Sequence, residues 1–218
     1  MGSGVKPPLP GLRIAVADDE ADTRQFYQEW LPAMGHQIVA VAASGRQLVV
    51  QCRANRPDLI ITDIKMPDLD GLDAAEQVNA DREVPVILVS AYKEGDLLAR
   101  ALEDHVMAYL LKPVKPPDLQ AAIHMAMARF RHFQQVRSEA DGLRQALEER
   151  KAVEQAKGVV MRRLGLDEVE AYKRLRGLSH HRNEKVVDLS RRLLEADQFF
   201  QALEDIGPPG RRQGGAVP

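Results

Sequence analysis

The sequence predicts a doubly wound α/β domain, a five-stranded parallel sheet covered by helices on both faces, followed by a long linker helix and a three-helix module. Three observations predict it. Over the first half of the chain, five short apolar runs alternate with amphipathic stretches, the pattern of successive parallel β-α-β units. Residues 121–164 then hold no proline and only two glycines, Gly142 and Gly158, amid much Ala, Gln, Glu and Arg. The charge also changes sign: residues 12–128 carry 11 Lys and Arg against 18 Asp and Glu, whereas residues 143–197 carry 13 against 10. An acidic first half and a basic second half point to two modules with different partners.

The elements follow in order. Arg13-Ile-Ala-Val-Ala reads as a buried strand. A helix is expected over residues 21–34, with Gly35 as its stop. Residues 36–42 form a second strand and 45–55 a second helix. Leu59-Ile-Ile-Thr62 is the third strand, followed by a helix over 71–80. Pro85-Val-Ile-Leu-Val89 is the fourth, followed by a helix over about 95–103. Ala108-Tyr-Leu-Leu111 is a short fifth strand, and a last helix begins near Pro117. Right-handed crossovers between such units give an open sheet whose active crevice lies beyond the carboxyl ends of the strands.

From residue 121 onward a long helix is expected. Val136, Ala140, Leu143 and Leu147 keep 4-3-4 spacing, and Val153, Val160 and Leu164 resume it out of phase. This fits a short coiled-coil seam with a shift in register, two helices joined near Gly142, or an amphipathic helix packed on its own domain. Two shorter helices are expected over 168–178 and 184–195. Asp167 and Glu170 form a capping box, with Leu166 and Ala171 at the staple positions. Asn183 is placed to cap the last helix, which carries Val186, Val187, Leu189, Leu193 and Leu194 inward. The expected division is a flexible arm over 1–11, the α/β domain over 12–129, a helical coiled-coil linker over 130–150, the helical module over 143–200 and a disordered tail over 205–218.

Composition narrows the class. The chain is 44% hydrophobic and 28% charged, and no uncharged apolar run approaches the ~20 residues that cross a bilayer. No membrane partner is expected. A single cysteine, Cys52, excludes an internal disulfide and fits the cytoplasm.

Chemistry gathers at the strand ends. The first strand ends in Ala17-Asp18-Asp19-Glu20, the third in Thr62-Asp63, the fourth in Ser90-Ala91 and the fifth in Lys112-Pro113. Carboxylates brought this close repel one another unless a cation sits among them. A hard cation that takes oxygen ligands and keeps several waters is Mg²⁺.

The run Asp58-Leu-Ile-Ile-Thr-Asp63-Ile-Lys-Met-Pro67-Asp-Leu-Asp-Gly71 resembles the phosphorylation loop of the response-regulator receiver family. Asp18-Asp19, Ser90-Ala91 and Lys112-Pro113 fall where that family has its acidic pair, its hydroxyl and its lysine. The likeness covers residues 12–129 and implies a flavodoxin-like receiver fold. It implies that Asp63 accepts a phosphoryl group from the phosphohistidine of a sensor histidine kinase. Mg²⁺ would be held by Asp19 and Asp63, with Asp18 acting through water and Lys65 lending its backbone carbonyl. Lys112 would add a second positive charge beside the phosphoryl group, Ser90 would donate a hydrogen bond to it, and the Lys112–Pro113 peptide would be cis. Drawing Ser90 inward would vacate space for Tyr109 to turn in, altering the surface around the fifth strand and the helices that flank it.

Further on, Val153-Glu-Gln-Ala156-Lys157-Gly158, the pair Ala171-Tyr172 and the later Asn183-Glu-Lys185-Val186-Val resemble the ANTAR domain, a three-helix RNA-binding module of transcription antitermination. Ser179-His180-His181-Arg182 stands where many relatives carry an Ala-Met-rich turn. The resemblance implies binding to paired hairpin loops in a leader transcript, two adjacent hexanucleotide loops calling for a homodimer. RNA polymerase would be affected indirectly, through the terminator. Lys157, Arg162, Arg163, Lys173, Arg176, Arg182 and Lys185 are expected to line a basic face for phosphates. Tyr172 would stack on an unpaired base, with Ala171 and Gly158 allowing close backbone approach. Any one of these cations also fits a solvated helix face. The two short helices read superficially as helix-turn-helix, which leaves a DNA-binding regulator as an alternative, and a protein-interaction module as another. No enzyme is expected beyond aspartyl phosphorylation chemistry.

Overall fold

The computed structural model describes residues 11–91 and 105–205. Five strands, β1 (Arg13–Ala17), β2 (Gln37–Ala42), β3 (Leu59–Asp63), β4 (Val86–Ser90) and β5 (Val106–Leu111), form one sheet in the order β2-β1-β3-β4-β5. Every neighbouring pair is parallel. The helices are α1 (Ala21–Ala33), α2 (Gly45–Asn55), α3 (Gly71–Asp81), α4 (Pro116–Leu164), α5 (Glu168–Arg182) and α6 (Val186–Asp205). The helix expected over 95–103, the N-terminal arm up to residue 10 and the tail beyond Asp205 lie outside the described residues.

Burial explains why unbroken apolar runs became strands. Every residue of β3 and β4 is buried, whereas β2 and β5 at the edges are partly exposed, as expected of a parallel sheet covered on both faces. Alternation along the strands divides the core in two. Ala15, Ala17, Ile60 and Leu88 pack with Leu48 and Cys52 of α2 and Leu72 and Val78 of α3. Ile14, Val16, Ile61 and Val89 pack on the other face with Tyr27 and Leu31 of α1. Leu119, Ile123, Ala126 and Phe130 of α4 join that second core at helical spacing.

The chain divides into two compact units, Met1–Val136 and Arg137–Pro218, and α4 contributes residues to both. The helix runs unbroken through Gly142, so there are not two helices joined there. Val136, Leu143 and Leu147 are 49%, 74% and 53% exposed, which rules out packing of this stretch on its own domain. Farther along, Ala156 and Val160 of α4 meet Ala171 and Leu175 of α5 and Leu189 of α6 in a third core, with Leu166 packed against it.

Two caps differ from expectation. Asp167 accepts the Glu170 N–H at 2.8 Å, but the Glu170 carboxylate faces Lys173 and Arg174, at 3.8 and 3.7 Å. Asn183 ends α5 instead of starting α6. Its φ of 52° is left-handed, and its N–H donates to the carbonyls of Ser179 and His180. Asparagine tolerates that conformation, so α5 reaches Arg182 and α6 starts later, at Val186, and reaches Asp205.

Candidate functional site

The sheet order changes direction between β1 and β3, the point where an open α/β sheet leaves a crevice at its carboxyl edge. Asp18 and Asp19 follow the last residue of β1, Asp63 and Ser90 are the last residues of β3 and β4, and Lys112 follows β5. The Lys112 Nζ lies 2.6 Å from Asp63 Oδ2, 3.1 Å from Asp18 Oδ1 and 3.0 Å from Glu20 Oε2. Asp18, Asp19 and Asp63 each offer an oxygen within 4.8 Å of the others. Asp18 and Asp63 are buried and Asp19 is exposed. Ser90 is buried, and its carbonyl accepts the Lys112 N–H at 2.8 Å. The Lys112–Pro113 peptide is cis. Tyr109 is partly buried, packed on the core shared with α2 and α3.

Local structure aims these groups. Thr62 Oγ1 donates to the Asp63 carbonyl at 2.9 Å, and the Lys65 N–H donates to Asp63 Oδ1 at 3.2 Å. The loop then folds back: the Gly71 N–H donates to the Ile64 carbonyl at 2.8 Å, and a Cβ on Gly71 would fall 1.9 Å from the Asp63 carbonyl oxygen. Only glycine fits. Asp70 caps α3 by accepting the Asp73 N–H at 2.8 Å. On the other side, Arg24 Nη1 donates to the carbonyls of both Asp18 and Asp19, each at 2.8 Å. The Glu20 N–H donates to Asp18 Oδ1 at 3.0 Å.

Burial raises the Asp18 carboxyl above its ordinary range, outweighing the hydrogen bonds from Lys112 and the Glu20 N–H. Burial works to lower the Lys112 ammonium, but its bonds to Asp63, Asp18 and Glu20 prevail and hold it above the ordinary lysine range. Lys112 is therefore a cation among several carboxylates. Among the described residues, buried Asp18 Oδ2 accepts no hydrogen bond and lies 3.0 Å from the Lys112 Nζ. An oxygen-only set that repels itself and leaves a buried acceptor unbonded fits a hard divalent cation. Glu20 as a third carboxylate on Lys112 was signalled only by its place beside the acidic pair.

The helical unit sorts the expected RNA contacts into two groups. Tyr172, Arg176, Arg182 and Lys185 are exposed, and no ion pair joins these three cations to another side chain among the described residues. Lys157 is buried, with its Nζ 2.7 Å from both Glu154 and Glu168. Those two bonds hold its ammonium above the ordinary lysine range. Arg163 grips buried Asp197 through Nε at 2.9 Å and Nη2 at 2.6 Å, and Arg162 reaches the same carboxylate at 3.5 Å. Ala171 lies wholly inside the core. Lys157, Arg162 and Arg163 are thus each engaged by a carboxylate within the unit, and Ala171 is enclosed by the core. Glu154 lies three residues before Lys157, a spacing that pairs charges on a helix; Asp197 gave no comparable local signal. Among the described residues, no helix is long and apolar enough to cross a membrane.

Comparison with known proteins agrees with this geometry. The response regulator receiver domain matches residues 14–124 and the ANTAR domain matches residues 141–194. The chain belongs to the response regulator family and carries an ANTAR domain, an RNA-binding antitermination module, and this pair of domains is that of a regulator. Among its relatives is the transcriptional regulatory protein PdtaR of Mycobacterium tuberculosis, 39% identical over 161 residues, 74% of this chain and 78% of that protein. The probable transcriptional regulator ycf27 of Porphyra purpurea is 30% identical over 117 residues, covering 54% of this chain and 48% of its own. A response regulator receiver domain protein from Clostridium thermocellum superposes with a TM-score of 0.50 at 30% identity, covering 55% of this chain and 96% of that one.

Proposed function

We propose that Asp63 is the phosphoacceptor of this regulator and that its phosphorylation controls binding of RNA hairpin loops by the helical unit. The supporting observation is the Lys112 ammonium held 2.6 Å from Asp63 while it also touches buried Asp18. A sensor histidine kinase is the donor. An Asp63 oxygen attacks phosphorus, and the new P–O bond forms as the P–N bond breaks and its electron pair stays on the imidazole. Asp18, Asp19, Asp63 and the Lys65 carbonyl are the residues that would hold Mg²⁺, which when bound neutralises charge developing on the phosphoryl oxygens. Lys112 shifts its bonds from the carboxylates to the phosphoryl group. The Ser90 hydroxyl donates to a phosphoryl oxygen, and Tyr109 turns into the space this leaves.

The receiver spans residues 12–129, the linker 130–150 and the ANTAR domain 143–200. The exposed row Val136, Leu143 and Leu147 supports a homodimer paired along the linker. Such a dimer brings two helical units to two adjacent loops, in the cytoplasm where transcripts are made, and acts on RNA polymerase only through the terminator. Acetyl phosphate with Mg²⁺ should add one phosphoryl group, seen by intact mass and Phos-tag gel, to the wild type and none to Asp63→Asn. Leader hairpins should then shift in a gel more strongly with the phosphorylated chain. Equal affinity for duplex DNA would overturn the RNA reading.

A further inference from the structure

A cleft of about 510 Å³ in the helical unit runs between α4, α5 and α6. Val153, Val186 and Val187 make its apolar wall, and the Tyr172 ring makes another. Lys157 and Glu154 meet within it, 2.7 Å apart, with the ammonium 6.0 Å from the centre of the Tyr172 ring. Glu168 also holds Lys157 at 2.7 Å, so the cluster of one ammonium and two carboxylates carries a net negative charge. Glu149 and Arg150 also line the cleft, one of each sign, so the charged lining stays net negative and does not favour a phosphate.

We infer that this cleft is a base-reading slot: one unpaired base of the RNA loop stacks on Tyr172 and is read on its edge by Lys157 and Glu154. The inference rests on the RNA-loop reading above. Adjacent donor and acceptor suit a base edge that places an exocyclic amino group beside a ring-nitrogen acceptor, as adenine and cytosine do. Glutamate accepts from the amino group and lysine donates to the ring nitrogen. Apolar walls and an aromatic face supply stacking without regard to sequence, and the Lys157–Glu154 pair adds the choice. Arg176, Arg182 and Lys185, exposed and without ion-pair partners among the described residues, remain for the phosphates.

The test uses the full chain after acetyl phosphate treatment and the tightest hairpin selected from a library with randomised loops. Affinity is read by fluorescence anisotropy across a salt series. Tyr172→Ala should weaken binding by roughly 5- to 150-fold, the range base–aromatic stacking supplies, while Tyr172→Phe, which keeps the ring, restores it. Lys157→Met should weaken binding with the salt slope unchanged. Arg176→Ala should lower that slope by about 0.7, the loss of one single-strand phosphate contact. At one loop position, an abasic nucleotide should cost at least as much as Tyr172→Ala and a deaminated one as much as Lys157→Met, and within each of these pairs the losses should not add. The inference is overturned if the losses add at every loop position, or if Lys157→Met lowers the salt slope as Arg176→Ala does. Equal affinity for the hairpin and for a loopless duplex would overturn the RNA-loop reading along with it.

Discussion

The Cα of Gly71 packs so tightly against the Asp63 carbonyl that a methyl group placed there would sit 1.9 Å from the oxygen. The glycine eight residues after Asp63 is thus a steric requirement of the loop that aims this carboxylate. Gly71→Ala should cost about 1–3 kcal/mol or more, the range for overpacking where backbone must move. Urea unfolding measures that loss, and phosphoryl uptake from acetyl phosphate should fall with it. Unchanged uptake would show that the loop tolerates the shift.

Lys112→Ala should leave phosphoryl uptake possible, because Asp63 keeps its nucleophile, while breaking the response of RNA binding to phosphorylation. It also removes the ammonium that Asp18, Asp63 and Glu20 share. Breaking a buried pair leaves an uncompensated charge, here on the order of 3 kcal/mol. Mg²⁺ should return much of that stability by binding the folded state alone. The thermal midpoint with and without Mg²⁺, in wild type and variant, gives the comparison.

His36 is buried and its Nδ1 accepts the Leu12 N–H at 3.3 Å. Burial, with a smaller push from His124, lowers its pKa below the ordinary 6.5. The unfolded chain therefore takes up a proton first. His36 contributes stability that is complete above pH 6.5 and drains away as the pH falls from there through the folded value, each unit of depression being worth about 1.4 kcal/mol. His36→Asn keeps an acceptor without a charge. Urea midpoints between pH 5 and 7.5 should fall less steeply for it than for the wild type.

Asp197 is buried and held by Arg163 from α4 and by Gln201 within its own helix. Asp197→Ala should be better tolerated than Arg163→Ala, since only the latter leaves a buried carboxylate without its main partner. The loss for Arg163→Ala should be about 1–3 kcal/mol. It should show in unfolding of the helical unit, with no change in the salt dependence of RNA binding. A lower salt slope would return Arg163 to the phosphate face.

The receiver was legible in nearly every element because its strands are continuous apolar runs and its reactive groups sit at strand ends, where chain order alone places them. Asp18, Asp63 and Lys112 needed no knowledge of side-chain conformation. The helical unit was legible as helices but not as a binding face. A lysine on a helix reads the same whether it meets water, phosphate or a glutamate. Only packing reveals that Lys157 and Arg163 are already bonded within the protein. Asn183 misled for a related reason, since asparagine suits both ends of a helix and local sequence does not say which.

Cys52 lies on the inner side of α2, within the core between sheet and helices, where burial pushes its thiol up to about 12. At neutral pH almost no thiolate exists and none is reachable, so iodoacetamide should label the chain only after unfolding. Oxidants then have no accessible thiol through which to crosslink two folded copies. In the proposed function, the covalent switch is then the acyl phosphate on Asp63 and not a disulfide.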